Sequence, residues 1–173
     1  MSAANRLNIK KRQVITNGYF SENPDIIKST AQRLAACGVN DLLLSADAFH
    51  QQTIPLDTVK LFASEVKAHG IPIRISPAWL VNASHGNPYN IKTREILSEF
   101  ERIGIFAAEG NVVFPEENAL KYLSEYFTDN MPINPYIEDP CRVKCISFSA
   151  NGDVLGGNVY RRDIMDIIEN YTP

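Results

Sequence analysis

The stretch Asp41-Leu42-Leu43-Leu44-Ser45-Ala46-Asp47-Ala48-Phe49-His50 decides the fold. Its three consecutive leucines place apolar side chains on both faces of a strand, which is typical of a strand inside a parallel sheet. The polar residues that follow predict the end of this strand. Parallel α/β folds bind ligands just beyond the carboxyl ends of their strands, so this end is a candidate site.

The same arrangement occurs once before and once after this stretch. Val14-Ile15-Thr16-Asn17-Gly18 precedes it, and Ile73-Arg74-Ile75-Ser76-Pro77 follows it. The interval of about thirty residues is the length of one strand-helix-strand unit. We therefore predict buried strands at residues 13–18, 41–45 and 71–76, because short apolar runs bounded by polar clusters and glycine are strand signals.

The segments between these strands predict helices. Asn23-Pro24 begins one that Gly38 ends, and Pro55 begins a second that Gly70 ends. Beyond a polar loop at residues 82–88, apolar residues recur with helical spacing over 92–103 and over 115–127. Short strand candidates lie at 105–107 and 111–114. Strands and helices therefore alternate through most of the chain.

This alternation predicts an α/β fold with a parallel sheet and right-handed crossovers. We predict a partial (βα) barrel of about four parallel βα units over residues 1–140, which is half a barrel or a small open sheet. Residues 141–173 are predicted to form a C-terminal extension. In it, 144–149 and 154–155 are typical of a β-hairpin around a type I′ turn at Asn151-Gly152, and 162–169 of a short helix.

The composition excludes several classes of protein. The 173 residues are 45% apolar and 21% charged, with a net charge of −3 and no extended basic stripe, so we expect no nucleic-acid partner. No apolar run is long enough to span a membrane, and no secretory signal is present, so we expect no membrane partner and a cytoplasmic location. Three cysteines do not make a disulfide framework, which fits a reducing compartment.

The first predicted strand has an unpaired edge. Residues 3–10 resemble the end of a helix that feeds a strand, so we expect the chain to begin in the middle of a repeating unit. Natural proteins usually cover or blunt such edges. We therefore expect an upstream half-barrel, or a second copy of the chain, to pair with the edge at residues 14–18.

Short motifs in a common order give the chain a family resemblance. From about residue 12 to residue 173 it resembles the later part of radical S-adenosylmethionine (SAM) enzymes. The resemblance implies a partial (βα)6 barrel that binds SAM and a [4Fe-4S] cluster across its strand ends and cleaves SAM reductively to a radical. The motifs are Thr16-Asn17-Gly18, Ser45-Ala46-Asp47 with His50, Ile73-Arg74-Ile75-Ser76-Pro77, Gly110-Asn111-Val112-Val113-Phe114, and Gly157-Asn158-Val159-Tyr160 through Asp163-Ile164.

The cluster loop of that family is missing from residues 1–173. The family carries Cys-x3-Cys-x2-Cys after its first strand, because three thiolates each bind one iron and leave the fourth open to SAM. Cys37, Cys141 and Cys145 do not reproduce that spacing. The resemblance therefore implies the C-terminal part of a radical SAM enzyme that is inactive alone. The alternative is a non-catalytic half-barrel module that binds a ligand or a partner.

Cofactor contacts are implied for residues at the strand ends. Ser45 and Asp47 lie where the family places polar contacts to the SAM ribose, and the alternative is that they cap the following turn. Gly18 permits close approach of the backbone to a ligand, or serves a plain turn. The full predicted set of cofactor contacts is Thr16, Asn17, Gly18, Ser45, Asp47, Ser76 and Asn111.

Two further residues are predicted substrate contacts. His50 is a candidate general acid, substrate contact or metal ligand, or else a surface hydrogen-bonding group. Arg74 and Ser76 alternate with isoleucines, so one face of their strand is polar. Arg74 could bind a carboxylate substrate, or pair with Asp47 or Glu109 inside the protein.

The remaining candidates have strong structural alternatives. Trp79 is either the wall of an adenine pocket or a core residue. His85 lies in a loop that is either a substrate lid or plain surface. Cys141 and Cys145 are too few for a closed zinc or cluster site, so no metal site is predicted.

Overall fold

Three parallel strands form the first sheet. They are β1 (Gln13–Thr16), β2 (Asp41–Leu44) and β3 (Ile73–Ile75), hydrogen-bonded in that order. The register places Val14 opposite Leu42 and Leu42 opposite Ile73. The three predicted strands are therefore confirmed, each shorter than predicted, and they follow one another in the sheet as in the sequence.

The computed structural model describes residues 1–127, 140–143, 146, 148 and 151–172. The chain divides into two units, Met1–Pro132 and Ile133–Pro173. The predicted division between residues 140 and 141 stays a prediction.

The helices of the first unit begin and end where local hydrogen bonding dictates. They are α1 (Ser2–Arg6), α2 (Pro24–Ala36), α3 (Leu56–Ala68), α4 (Pro88–Glu101) and α5 (Glu117–Leu123). The side chain of Asn23 accepts a hydrogen bond from the Asp25 N–H, and Pro24 fills the first helical position, which needs no donor. These two residues explain why the predicted start of α2 is correct.

Three helices end in the same way. Gly38, Gly70 and Gly104 each donate to a carbonyl three residues back, and the next residue donates to a carbonyl five residues back. This is the Schellman pattern, which satisfies the last carbonyls of a helix. In each case the residue after the glycine is buried and lies just before a strand or bridge. These residues are Val39, Ile71 and Ile105.

A second parallel pair forms a separate small sheet that follows the first. It consists of β4 (Ala78–Leu80), which was not predicted, and β5 (Asn111–Val113), which was. The predicted strand at 105–107 is reduced to one bridge, between Ile75 and Ala107. Ile75 pairs with Ala107, and Ala78 pairs with Asn111. The segment from Ala107 to Asn111 is therefore one residue longer than the segment from Ile75 to Ala78. The extra residue is a β-bulge.

Gly110 lies in this bulge because no side chain fits there. Its φ is +79°, and a Cβ built on it would lie 2.3 Å from the carbonyl oxygen of Pro77. The Asn111 N–H donates to that same oxygen at 2.8 Å. The close approach of the two backbones therefore depends on glycine.

The predicted bounds of the later helices are wrong. Helix α4 begins at Pro88 and not at residue 92, because the buried side chain of Asn87 caps it by accepting from the Asn90 N–H at 2.9 Å. The predicted helix over 115–127 is shorter, and a 3₁₀ turn, Ser124–Tyr126, follows it.

The apolar core lies between the sheet and the helices. One face of the first sheet and helices α2, α3 and α4 contribute to it, so the β-strand residues alternate between buried and more exposed. The most deeply buried members are Ile27, Ala31, Leu42, Leu44, Ala46, Val59, Phe62, Ala63, Val66, Ile75, Ile96, Phe100 and Ile105.

The coarse prediction of an α/β fold with parallel strands is confirmed, whereas a partial barrel is not. The parallel strands form two small sheets, and no closed barrel occurs in the part of the chain that the structure describes. Within the same residues, no helix has both the length and the apolar character that crossing a bilayer requires.

The second unit contains a hairpin and a helix, but the described hairpin turns at Leu155-Gly156 and not at Asn151-Gly152 as predicted. Strands β6 (Asp153–Val154) and β7 (Gly157–Asn158) are antiparallel and joined by Leu155-Gly156, both with positive φ as a type I′ turn requires. Helix α6 (Ile164–Glu169) follows, capped by Asp163. The predicted strand 144–149 falls largely outside the described residues.

We predict that Gly110→Ala destabilises the first unit by about 2 kcal/mol or more, because the methyl group meets the Pro77 carbonyl and the positive φ becomes strained. Urea unfolding would measure the change. Gly86→Ala is the control, since a Cβ there meets nothing within 4 Å and its φ is not positive. Equal unfolding free energies for the two variants would contradict the role of the bulge.

Candidate functional site

The face of the first sheet that points away from the helices is open. Side chains alternate along each strand, so Ile15, Leu43 and Arg74, which lie opposite one another in the register, share this open face. Ile15 is 65% exposed, and Arg74 is exposed as well. Parallel sheets normally have both faces covered, so an open face is an unusual surface.

A row of small polar residues lies at the carboxyl end of the open face. The ladder continues beyond the strands: the Ser45 N–H donates to Thr16 O, and the Ser76 N–H donates to Leu44 O, both at 2.8 Å. The same alternation then aligns Asn17, Ser45 and Ser76. Among the described residues the hydroxyls of both serines form no hydrogen bond. Three of the predicted cofactor contacts are therefore brought together.

Two other predicted contacts belong to the opposite face. Thr16 lies opposite buried Leu44, and its hydroxyl accepts from the Gly18 N–H at 3.1 Å. Gly18 is buried with φ +72°, and a Cβ there would lie 2.8 Å from Leu44 Cδ1 and 3.1 Å from Phe62. Gly18 was predicted to let a ligand approach the backbone. Core side chains fill the space on the Cβ side of Gly18, which fits the alternative of a plain turn, and the ligand contact stays a prediction.

Asp47 is fully buried and accepts four hydrogen bonds. Its Oδ1 accepts from the N–H groups of Phe49 and His50, at 2.9 and 3.1 Å. Its Oδ2 accepts from the Ala78 N–H at 2.9 Å and pairs with His50 Nδ1 at 2.8 Å. The carboxylate thus ties the end of β2 to the start of β4. In this arrangement it positions His50 and offers no free oxygen to a ribose.

The contact between Asp47 and His50 favours the charged form of both side chains. Burial by itself raises the pKa of Asp47, but the hydrogen bonds and charge of His50 and the Ala78 N–H together hold that pKa below its ordinary value. The hydrogen bond to Asp47 raises the pKa of His50, and partial burial opposes this less strongly. A buried carboxylate fully supplied with donors stays ionised and stabilises the imidazolium.

His50 presents its second ring nitrogen to the surroundings. Its side chain is 34% exposed, and Nδ1 is bound to Asp47. Nε2 has no hydrogen-bond partner within the described ranges, so it can bind a ligand or transfer a proton there. The histidine was predicted as a substrate contact, and that role stays a prediction.

Gln51 adds a donor that sequence reasoning missed. Its Oε1 accepts from the Asp47 N–H at 3.0 Å, which leaves the amide nitrogen turned inward. That nitrogen, Nε2, is buried and has no hydrogen-bond partner. A buried amide without an acceptor costs free energy unless a ligand or water supplies one. No sequence pattern reveals it, because only the fold of the turn buries this nitrogen.

Arg74 turns away from this site. Its guanidinium donates to both carboxylate oxygens of Asp41, at 2.9 and 3.1 Å. Asp41 is the first residue of β2, so the pair lies at the amino end of the sheet. Gln13 and Lys11 contact the same carboxylate. The predicted internal pairing is real, but Asp47 and Glu109 were the wrong partners.

The other candidates are spread over the unit. Asn111 is exposed at the start of β5. Trp79 is buried in the core and donates to Glu109 O at 2.9 Å, which matches the alternative that it is a core residue. His85 is exposed, and its Nδ1 lies within hydrogen-bond distance of the backbone and side chain of Asn87, so it belongs to the local structure of the loop before α4.

The residues that the structure describes do not fit a [4Fe-4S] cluster. They contain no group of three or more histidine, cysteine, aspartate or glutamate side chains that could hold a metal ion. Cys37 is the C-cap of α2, and Cys141 is exposed in the second unit. Cys145 lies outside the described residues. No reaction step through a cluster follows from these groups.

Comparison with known proteins shows no relative: no protein-family model, curated protein or solved structure matches this chain significantly.

We predict that the free energy of unfolding falls as the pH rises above about 6.5. The folded pKa of His50 exceeds its ordinary value of about 6.5, so the stabilisation is fully present below that value and is lost as the pH rises through the folded pKa. Asp47 acts in the opposite range: its contribution is lost as the pH falls through its lowered pKa. Urea unfolding at several pH values measures both.

The control for this prediction is His50→Gln, which removes the titrating group. The fall in stability above about pH 6.5 should be smaller in this variant than in the unaltered chain. A fall of the same size in both proteins would show that the Asp47 and His50 pair is not its cause.

Proposed function

We propose that the first unit binds the adenosyl part of SAM on its open sheet face, as a half-barrel of the radical SAM type. The row of Asn17, Ser45 and Ser76 carries this proposal. It lies at the carboxyl ends of parallel strands, where α/β folds bind ligands. The hydroxyls of Ser45 and Ser76 have no hydrogen-bond partner among the residues that the structure describes. The resemblance in motif order supports the choice of ligand.

The open face offers both kinds of contact that a nucleoside needs. Ile15 and Leu43 provide apolar surface in the row below, and Phe106, 65% exposed, lies beside Arg74 on the same face through the bridge of Ile75 with Ala107. The serine hydroxyls and the Asn17 amide can bond to ribose oxygens. We assign Asp47 to positioning His50, and His50 to a substrate contact.

The proposed function is binding and not catalysis by residues 1–173 alone. Reductive cleavage of SAM needs an electron from a cluster, and the described residues supply no ligand set for one. In that reaction, the role of this chain is to hold the ligand and to place His50 near the strand ends.

We predict saturable binding of SAM and of S-adenosylhomocysteine in the micromolar range, measured by isothermal titration calorimetry. The double variant Ser45→Ala/Ser76→Ala should bind about tenfold or more weakly, since each lost hydrogen bond costs about 0.5–1.5 kcal/mol. Ser64→Ala, at an exposed position on α3, is the control.

Two results would contradict this proposal. One is the absence of heat of binding for both ligands at millimolar concentration with the folded protein. The other is equal affinity of the double variant and the Ser64→Ala control, which would place the ligand away from the polar row.

A second candidate function, self-association, is favoured by the edge of β1. Within the described residues β1 pairs only with β2, and Ile15 on it is largely exposed. An unpaired, apolar edge strand is a template for another chain. A second copy would pair there with the same strand.

We predict a dimer by light scattering if the edge serves this function, and a monomer for Ile15→Lys, because a lysine on an edge strand opposes pairing. The control is Ile26→Lys, since Ile26 is 47% exposed on α2 and away from the edge. A stable monomer for the unaltered chain would rule out self-association.

A further inference from the structure

A cavity of about 330 Å³ lies between the turn after β2, the start of α4, the end of β5 and helix α5. We call it the aromatic cavity. None of its lining residues belongs to the polar row on the open sheet face or was predicted as a site. They are Phe49, Gln52, Tyr89, Val113, Asn118, Ala119, Tyr122 and Leu123.

Stacked rings form one wall of the aromatic cavity. Phe49 and Tyr89 stack with their centroids 4.8 Å apart and their planes 10° from parallel. Tyr126 meets Tyr89 edge-on, with centroids 5.9 Å apart. The backbone of Phe49 is positioned by Asp47, because the Phe49 N–H donates to the buried carboxylate. The hydrogen bond orders the Phe49 backbone and the stacking with Tyr89 restricts its ring, which lowers the entropy cost of binding.

The lining carries no charged side chain, and its polar side-chain groups are two amides and the hydroxyls of Tyr89 and Tyr122. Gln52 and Asn118 each offer a donor and an acceptor, and no carboxylate or cationic side chain is among the lining residues. A cationic ligand is disfavoured, because Lys121 already lies 4.8 Å from the centre of the Tyr122 ring. A neutral, flat ligand with hydrogen-bonding groups on its edge fits this set.

The volume limits the size of that ligand. Small-molecule sites in proteins span about 300–1,000 Å³, and they are mostly apolar or aromatic with a few placed polar groups. The aromatic cavity lies at the lower end of this range. It has room for one or two fused rings and not for a large cofactor.

We propose that the aromatic cavity binds a neutral planar ring that carries hydrogen-bonding edges, such as a phenol, an indole or a nucleobase. The ring packs against the Phe49 and Tyr89 wall, and Gln52 and Asn118 bond to its edge. The site is separate from the polar row, so this inference does not rest on the proposed binding of SAM.

The test uses the full chain with ¹³C-labelled alanine methyl groups. The probes are p-cresol, indole and adenosine, titrated separately and followed by NMR. A ring in the cavity shifts the Ala119 methyl signal by its ring current, while the Ala68 methyl, exposed at the end of α3, stays unchanged. The probe that shifts Ala119 identifies the source of the ring, an aromatic side chain or a nucleobase.

Two variants decide whether the cavity is the site. Ala119→Leu fills it and should weaken binding of the effective probe at least tenfold, and Ala68→Leu is the matched control. Should Ala119→Leu fail to fold, Tyr122→Ala removes an exposed wall residue and should weaken binding at least threefold. No shift of Ala119 with any probe at 10 mM, or equal binding by the variants and control, would overturn the proposal.

Discussion

The buried carboxylate of Asp47 is the constraint on which the arrangement of this unit depends. It accepts from two N–H groups of its own turn, from the His50 ring and from the Ala78 N–H at the start of β4. Without it these backbone donors would lose their acceptor, at a cost of about 1–3 kcal/mol each where they are buried. The orientation of His50, the placement of β4 and the fixed position of Phe49 in the aromatic cavity all follow from this one group.

The sequence predicted those parts of the fold that local physical chemistry specifies. The leucines at 42–44 are apolar on both faces, and Asn23-Pro24, Gly38 and Gly70 carry capping chemistry, so the first three strands and the bounds of two helices were correct. Strand β4 was missed because Ala78–Leu80 is short and follows a proline that lies opposite the bulge. The early start of α4 was missed because Asn87 caps it from inside what the sequence indicates as a loop.

The location of the candidate site was predictable from the sequence, but the burial and the partners of its individual residues were not. Strand ends and alternation led to Asn17, Ser45 and Ser76, which the register brings into one row. Burial cannot be deduced from the sequence, and burial separates the roles: it encloses Asp47, leaves His50 partly exposed and isolates the Gln51 amide. The partner of Arg74 was not predictable, because a long side chain can pair with any acidic residue within reach. Only the strand register determines that this partner is Asp41.

The Schellman motifs at Gly38, Gly70 and Gly104 also affect how the chain folds during its synthesis. Each ends a helix and leads directly into the next pairing segment. In the first sheet, β2 and β3 each pair with the strand synthesised immediately before them. The loop that must close at each step is about thirty residues and does not lengthen as the chain grows, so each added unit has a similar closure entropy. A ribosome adds such a unit in about 2 to 6 s. The edge that accepts the next strand is therefore already in place when that strand emerges.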